Sequence, residues 1–254
     1  TQGMVLKDGA KMSKSKGNTV SPTALIKQYG ADTLRFFQLF AAPPEQSLEW
    51  SDSGIEGAHR FLKKLWSFCI EHQPLICNAQ SNPIDEATKA TLIDNEQYQS
   101  FHGILKQACL DMSKSQFNTV ASATMKMFNL LTQLDKNPPY YPILLRECTS
   151  IILRVLAPIT PHITHNLWQL LDYPEDIFSS PWPTPDEQAL QQQLITLVVQ
   201  INGKKRATLT VSPSLSKEDT EKAALDNSQV QQHLGEHTIK KVIVIPKKLI
   251  NIVV

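Results

Sequence analysis

The sequence predicts a mainly α protein: an antiparallel helical bundle, preceded by a polar loop with two short helices and followed by a small α+β domain. Three observations predict it. Apolar residues recur at three and four through the middle of the chain, a proline-rich stretch "SSPWPTPDE" (residues 179–187) interrupts them, and the pattern beyond alternates in the manner of strands.

The first 20 residues are loop-like, polar and lysine-rich, with "AKMSKSKGN" (residues 10–18) at their centre. A helix is expected to begin where Ser21 can cap and Pro22 can take the first helical position. Gly30 ends it, and Asp32 is placed to cap the next helix, which runs through Leu34, Phe36, Phe37 and Phe40. Pro43 and Pro44 break that helix, and extended or turn structure follows as far as Ser53.

From Ile55 to Cys69 the apolar positions Ile55, Ala58, Phe61, Leu62, Leu65, Trp66 and Cys69 form one stripe, with His59, Arg60, Lys63 and Lys64 opposite. Similar stripes run through Phe101, Leu105, Ala108 and Met112, through Phe117, Val120, Thr124, Met127, Leu131 and Leu134, and through Leu145, Cys148, Ile152 and Val155. A last helix, Ile163 to Leu171, follows the break at Pro158 and Pro161. Several long amphipathic helices with short polar links make an antiparallel bundle.

Past the proline-rich boundary, "LITLVVQINGKKRATLTV" reads as a hairpin turning at Asn202 and Gly203, a pair suited to a type I′ turn. Ser216 with Asp219 resembles a capping box opening a helix. "IKKVIVIP" and "KLINIVV" supply two more strands, completing a domain of about 60 residues, just large enough to fold alone. The boundaries predicted are 1–54, 55–188 and 189–254.

Composition narrows the class. With 41% hydrophobic and 19% charged residues and a net charge of +1, the chain is neither disordered nor uniformly basic. No run approaches the roughly 20 apolar residues of a membrane span, so no membrane partner is expected. Cys69, Cys77, Cys109 and Cys148 are scattered without a C-x-x-C pair, which reads as four reduced thiols in a cytoplasmic protein with no metal site. His162 and His165 lack a third ligand nearby and are expected to cap or pack at a helix start. Trp66 and Trp168 lie on apolar faces and are expected in the core, Trp50 and Trp182 in seams between domains. Arg35 and Arg60 are suited to surface or junction ion pairs.

A loop that handles phosphate needs cations, small residues that let backbone approach, and freedom to close. Lys11, Lys14 and Lys16 supply charge, Ser13 and Ser15 hydroxyls, and Gly9 and Gly17 tight turns, with the positive end of a helix following near Ser21. The echo "DMSKSQFN" (residues 111–118) lacks the preceding lysine and flanking glycines; it is expected to be a turn between helices. A second set of cations, Lys204, Lys205, Arg206, Lys240, Lys241, Lys247 and Lys248, lies in the tail, and separate basic patches of this kind suit a polyanion contacted at more than one place.

"KMSKSKGN" followed by "SPTALIKQYGADTLRFFQLFAAP" resembles the second signature of class I aminoacyl-tRNA synthetases and the helices behind it. "SLEWSDSGIEGAHRFLKKLW" is similar to the leucyl-tRNA synthetase pattern, "LAPITPHITHNLW" to a segment of the leucine, isoleucine, valine and methionine subgroup, and the tail to the C-terminal module of bacterial-type leucyl enzymes. The resemblance covers essentially the whole chain. It implies the end of a Rossmann-like catalytic domain, an anticodon-binding-type bundle, and a module that contacts the outer corner of tRNA.

The resemblance also implies a function: activation of leucine by ATP with Mg2+, then transfer to tRNA(Leu), by a monomeric enzyme. ATP would meet Lys11, Met12, Ser13, Lys14 and Ser15, with Lys11 and Lys14 as the catalytic lysines and Lys14 the principal one as pyrophosphate leaves. The chain contains no HIGH-type motif, amino-acid pocket or editing domain, so it is expected to be a piece of a longer enzyme, silent alone and holding no cofactor. The alternatives are a fragment of an isoleucyl, valyl or methionyl enzyme, or a stand-alone, non-catalytic tRNA-binding protein.

Overall fold

The computed structural model describes residues 3–79, 85–192, 195–211, 215–235, 239–245 and 248–254, and it is mostly helical. The chain divides into two compact units, one of residues 1–90 and 101–185, the other of residues 91–100 and 186–254.

In the first unit, β1 (Val5–Lys7) and β2 (Ala10–Lys11) form an antiparallel hairpin, and β3 (Leu48–Glu49) joins β1 in parallel. The expectation of a plain loop over the first 20 residues is therefore corrected. Asp8 and Gly9, at φ 54° and 71°, make the turn, and that dipeptide is the signal the lysine pattern obscured.

Next come α1 (Pro22–Tyr29) and α2 (Ala31–Ala41), broken by Gly30 at φ 85°. Ser21 occupies the N-cap position of α1, but its side chain accepts no capping hydrogen bond. Helix α3 (Asp52–Glu71) starts at Ser51, whose hydroxyl accepts from the Gly54 amide. Helices α4 (Gln73–Asn78) and α5 (Glu86–Ile93) follow, then α6 (Glu96–Ser113), α7 (Phe117–Thr132), α8 (Tyr141–Leu156) and α9 (Pro161–Leu170).

The stripes meet as the spacing requires. Phe36 of α2 lies 5.1 Å from Phe61 of α3, which lies edge-on to Phe128 of α7 at 5.9 Å. Ile55, Leu65, Leu105, Met127, Leu145 and Ile152 are completely buried. Side chains of this size each contribute about 1.5–3 kcal/mol on full burial.

Trp66 departs from its stripe. It is 37% exposed, whereas Trp168 is buried, stacked on Tyr173 with its indole N–H donating to the Pro174 carbonyl. Trp50 packs edge-on against Phe37, and Trp182 donates to Cys109 Sγ; both contacts are internal to the first unit.

In the second unit, α10 (Glu187–Gln192) precedes β4 (Ile195–Ile201) and β5 (Lys204–Val211), which turn at Asn202 and Gly203, both at positive φ. Then come α11 (Lys217–Leu225), α12 (Ser228–Leu234), β6 (Lys241–Ile245) and β7 (Leu249–Val253). The sheet order is β5-β4-β7-β6, with β4 and β7 parallel and the other pairs antiparallel. Leu197, Val199, Ile250 and Ile252 form its core with Ala224 and Val230. Helix α12 carries no apolar stripe long enough to be read from sequence, but Asn227 caps it, accepting from the Gln229 and Val230 amides.

Candidate functional site

The KMSKS segment is a structured loop. Strand β2 delivers Lys11, and Met12 donates its amide to the Val5 carbonyl at 3.4 Å, tying the loop's start to β1. A single 3₁₀ turn, Lys14–Lys16, follows and ends at Gly17, whose φ of 64° is one that residues with a Cβ rarely adopt. The loop is closed by Asn18: its Oδ1 accepts from the Ser13 amide at 2.9 Å, and its Nδ2 donates to the Lys11 carbonyl at 3.3 Å. Asn18 is a residue the sequence pattern did not single out, because an asparagine after glycine reads equally well as an ordinary turn.

Lys11, Lys14 and Lys16 are exposed, and no carboxylate among the described residues pairs with them. Ser13 and Ser15 stand hydroxyl to hydroxyl at 3.2 Å, and Met12 is half-buried. The loop thus offers three exposed ammonium groups and two hydroxyls on a backbone pinned at both ends. The echo at Asp111–Asn118 lies between α6 and α7, with Ser115 at φ 57°, and is the turn expected of it.

The tail cations separate by position. Lys204, Lys205 and Arg206 are exposed at the start of β5, and Arg206 is the extra residue of a bulge, because Val199 faces Ala207 while Gln200 faces Lys205. Lys240 and Lys241 are exposed at the start of β6. Register runs from Lys204 to Ile201, then to Ile252 and Val242, so both groups occupy one end of the sheet. Three strand spacings, roughly 14 Å, separate the edge strands that carry them. Lys248 sits at the opposite end, its amide donating to the Ile245 carbonyl, and Lys247 lies outside the described residues.

The remaining candidates resolve into packing. Asp32 does not cap α2; its Oδ2 accepts from the Ile163 amide at 2.7 Å, and its Oδ1 meets His162 Nδ1 at 3.0 Å and Arg35 at 3.2 Å. His165 lies 3.6 Å from Asp176 and stacks on Phe178. No cluster of three or more His, Cys, Asp or Glu side chains among the described residues is arranged to hold a metal ion. Arg60 pairs with Glu56 at 3.9 Å. No helix among the described residues is long and apolar enough to cross a membrane.

The family model described as anticodon-binding domain of tRNA ligase matches residues 94–222, and that for class I tRNA synthetases (I, L, M and V) matches residues 1–51. A leucine–tRNA ligase of Coxiella burnetii (strain RSA 493 / Nine Mile phase I) is 56% identical over 256 residues, covering 100% of this chain and 31% of the relative. One from Francisella tularensis subsp. tularensis (strain SCHU S4 / Schu 4) is 48% identical over 254 residues, covering 100% of this chain and 30% of the relative.

The agnB2 LeuRS of Agrobacterium radiobacter K84, solved as a ternary complex with tRNA and LeuAMS, superimposes with a TM-score of 0.85 at 29% identity, over 99% of this chain and 32% of that one. The chain spans about a third of the length of the relatives it matches. With the anticodon-binding model covering half its residues, the chain belongs to the family of tRNA ligase anticodon-binding domains and matches leucine–tRNA ligases along its whole length.

Proposed function

We propose that this chain is the C-terminal portion of a bacterial-type leucine–tRNA ligase, an enzyme that activates leucine with ATP and transfers it to tRNA(Leu). The observation that carries the reading is the KMSKS loop itself: exposed lysines that meet no carboxylate among the described residues, on a backbone clasped by Asn18. Residues 1–54 are the end of a Rossmann-like catalytic domain, residues 55–188 an antiparallel bundle of the anticodon-binding type, and residues 189–254 a tRNA-contacting module. The enzyme is monomeric and cytoplasmic.

The chemistry follows from charge. As leucyl-adenylate forms, negative charge builds on the departing pyrophosphate, and preorganised cations at that point lower the barrier more than they tighten ground-state binding. Lys14 is the principal such group, with Lys11 beside it in sequence and Met12, Ser13 and Ser15 completing the ATP-facing loop. Mg2+ arrives with ATP as part of the substrate, held by its phosphates. In the tail, Lys204, Lys205, Arg206, Lys240 and Lys241 are the better candidates for the RNA backbone, because they share one end of the sheet; Lys247 and Lys248 are the weaker ones.

The test uses the chain as it stands. It should bind tRNA(Leu) with an affinity that falls steeply as salt rises, and should give no ATP–pyrophosphate exchange without the catalytic half. Salt-independent binding overturns the phosphate-contact reading, and exchange by the chain alone overturns the division of labour. In the chain joined to its catalytic half, Lys14→Ala should lower the exchange rate on the order of a hundredfold to a thousandfold.

A further inference from the structure

Helix α3 has a second organised face. Besides its buried stripe, it presents His59, Lys63, Trp66 and Ser67 at helical spacing to a cavity of about 370 Å³, within the roughly 300–1,000 Å³ of small-ligand sites. The opposite walls are the α1–α2 corner, with Tyr29, and the first turn of α9, with Asn166. Trp66 is the tryptophan expected in the core and found 37% exposed, and the cavity accounts for where its ring lies.

The chemistry of the walls selects the ligand. The indole of Trp66 gives a flat apolar surface, and Tyr29 and His59 meet edge to face at 5.4 Å to form a second aromatic wall. Asn166 commits its Nδ2 to the His162 carbonyl, which leaves Oδ1 able to accept. The one carboxylate lining the cavity, Asp32, is spent on the Ile163 amide, His162 and Arg35. Lys63 is exposed and meets no carboxylate among the described residues, so the rim presents positive charge.

A flat unsaturated ring bearing a phosphate satisfies all of these. We infer that the cavity between α3, the α1–α2 corner and α9 holds a single unstacked nucleotide of the bound RNA, its base on Trp66 and its phosphate toward Lys63. The inference rests on the tRNA-binding reading and deepens it. Stacking of bases on aromatic side chains is a recurring source of affinity for unpaired nucleotides, and it tolerates any base.

The experiment measures equilibrium binding of the chain and of Trp66→Ala, Trp66→Phe and Lys63→Ala to a fluorescein-labelled tRNA(Leu) transcript, with circular dichroism to establish folding. Trp66→Ala should weaken binding on the order of tenfold and Trp66→Phe by less than about threefold, because a smaller ring still stacks. Lys63→Ala should weaken binding and reduce its salt dependence. If the parent binds and folded Trp66→Ala binds equally well, the cavity is not a nucleotide site, while the tRNA-binding reading stands. If Trp66→Ala instead alters self-association in light scattering with unchanged RNA affinity, the cavity is a protein contact and the inference fails. Absence of any tRNA binding by the parent overturns both.

Discussion

Asp32 and Ile163, 131 positions apart, are joined by a 2.7 Å hydrogen bond in which the buried carboxylate of one helix accepts from the first-turn amide of another. Helix α9 starts at Pro161 after Thr160, whose hydroxyl does not cap it. One of its N-terminal amides, that of Ile163, is therefore met from α2, and the same carboxylate holds His162 and Arg35. A negative group at a helix N-terminus is favoured by the exposed amides and the macrodipole together.

Replacement of Asp32 by Ala should destabilise the first unit by about 2 kcal/mol, the scale of a lost charged cap. Asp32→Asn should lose less, because an amide oxygen still accepts from Ile163. Urea denaturation followed by the fluorescence of the four tryptophans, all in the first unit, checks this; equal losses for the two variants would argue against the capping account.

Arg146 of α8 ties α4 to the residues just past α9. Its guanidinium donates to the carbonyls of Ile76, Leu171 and Asp172 at 2.9–3.1 Å and lies 4.3 Å from the centroid of Tyr173, whose hydroxyl donates back to the Arg146 carbonyl. Arg146→Met should cost about 3 kcal/mol, since three carbonyls lose a charged donor and the stack is lost. Arg146→Lys should recover only part of this, because a point ammonium does not reproduce the fork. Thermal denaturation of both variants decides it.

The four thiols should react unequally. Burial pushes the Cys69 thiol up to about 12 and Cys148 well above the ordinary range, so at pH 8 both carry almost no thiolate. Cys77 and Cys109 are half-buried. A thiol-disulfide reagent at pH 8 should modify two residues per folded chain and four after denaturation. Rapid modification of Cys69 in the folded chain would contradict the packing.

Asn18 should govern access to the KMSKS loop. Asn18→Ala removes the bonds to the Ser13 amide and the Lys11 carbonyl, together worth about 1–2 kcal/mol of local order. Trypsin cleavage after Lys14 or Lys16 should speed up roughly fivefold or more, with cleavage in the helices unchanged. Mass spectrometry of the early fragments tests it; an unchanged rate would show that the clasp does not limit opening.

Much of this architecture is legible in the chain because its signals are local. The stripes through Phe101, Phe117 and Leu145 emerge as α6, α7 and α8, the Asn202–Gly203 turn emerges as a hairpin, and Ser216 caps α11, accepting from the Asp219 amide at 3.0 Å. The Asp8–Gly9 hairpin was equally local, but a lysine-rich surrounding made it read as loop. Trp66 misled for a different reason: a tryptophan between two helix faces satisfies the apolar periodicity of either.

By itself, the sequence determined the long amphipathic helices, the four strands of the tail, where the polar loop lies, and most of the side chains in each buried stripe, since these follow from periodicity and turn chemistry within a few residues; the short strands β1–β3 and the short helices α4, α5 and α10 carry too few residues for either signal. Only the tertiary structure decided that Asp32 serves α9 rather than α2, that Asn18 clasps the KMSKS loop, that the tail lysines divide between two ends of a sheet, and that Trp66 faces a cavity. Each of these depends on which orphan amide, carbonyl or apolar surface arrives opposite a given side chain, and distant segments supply that partner.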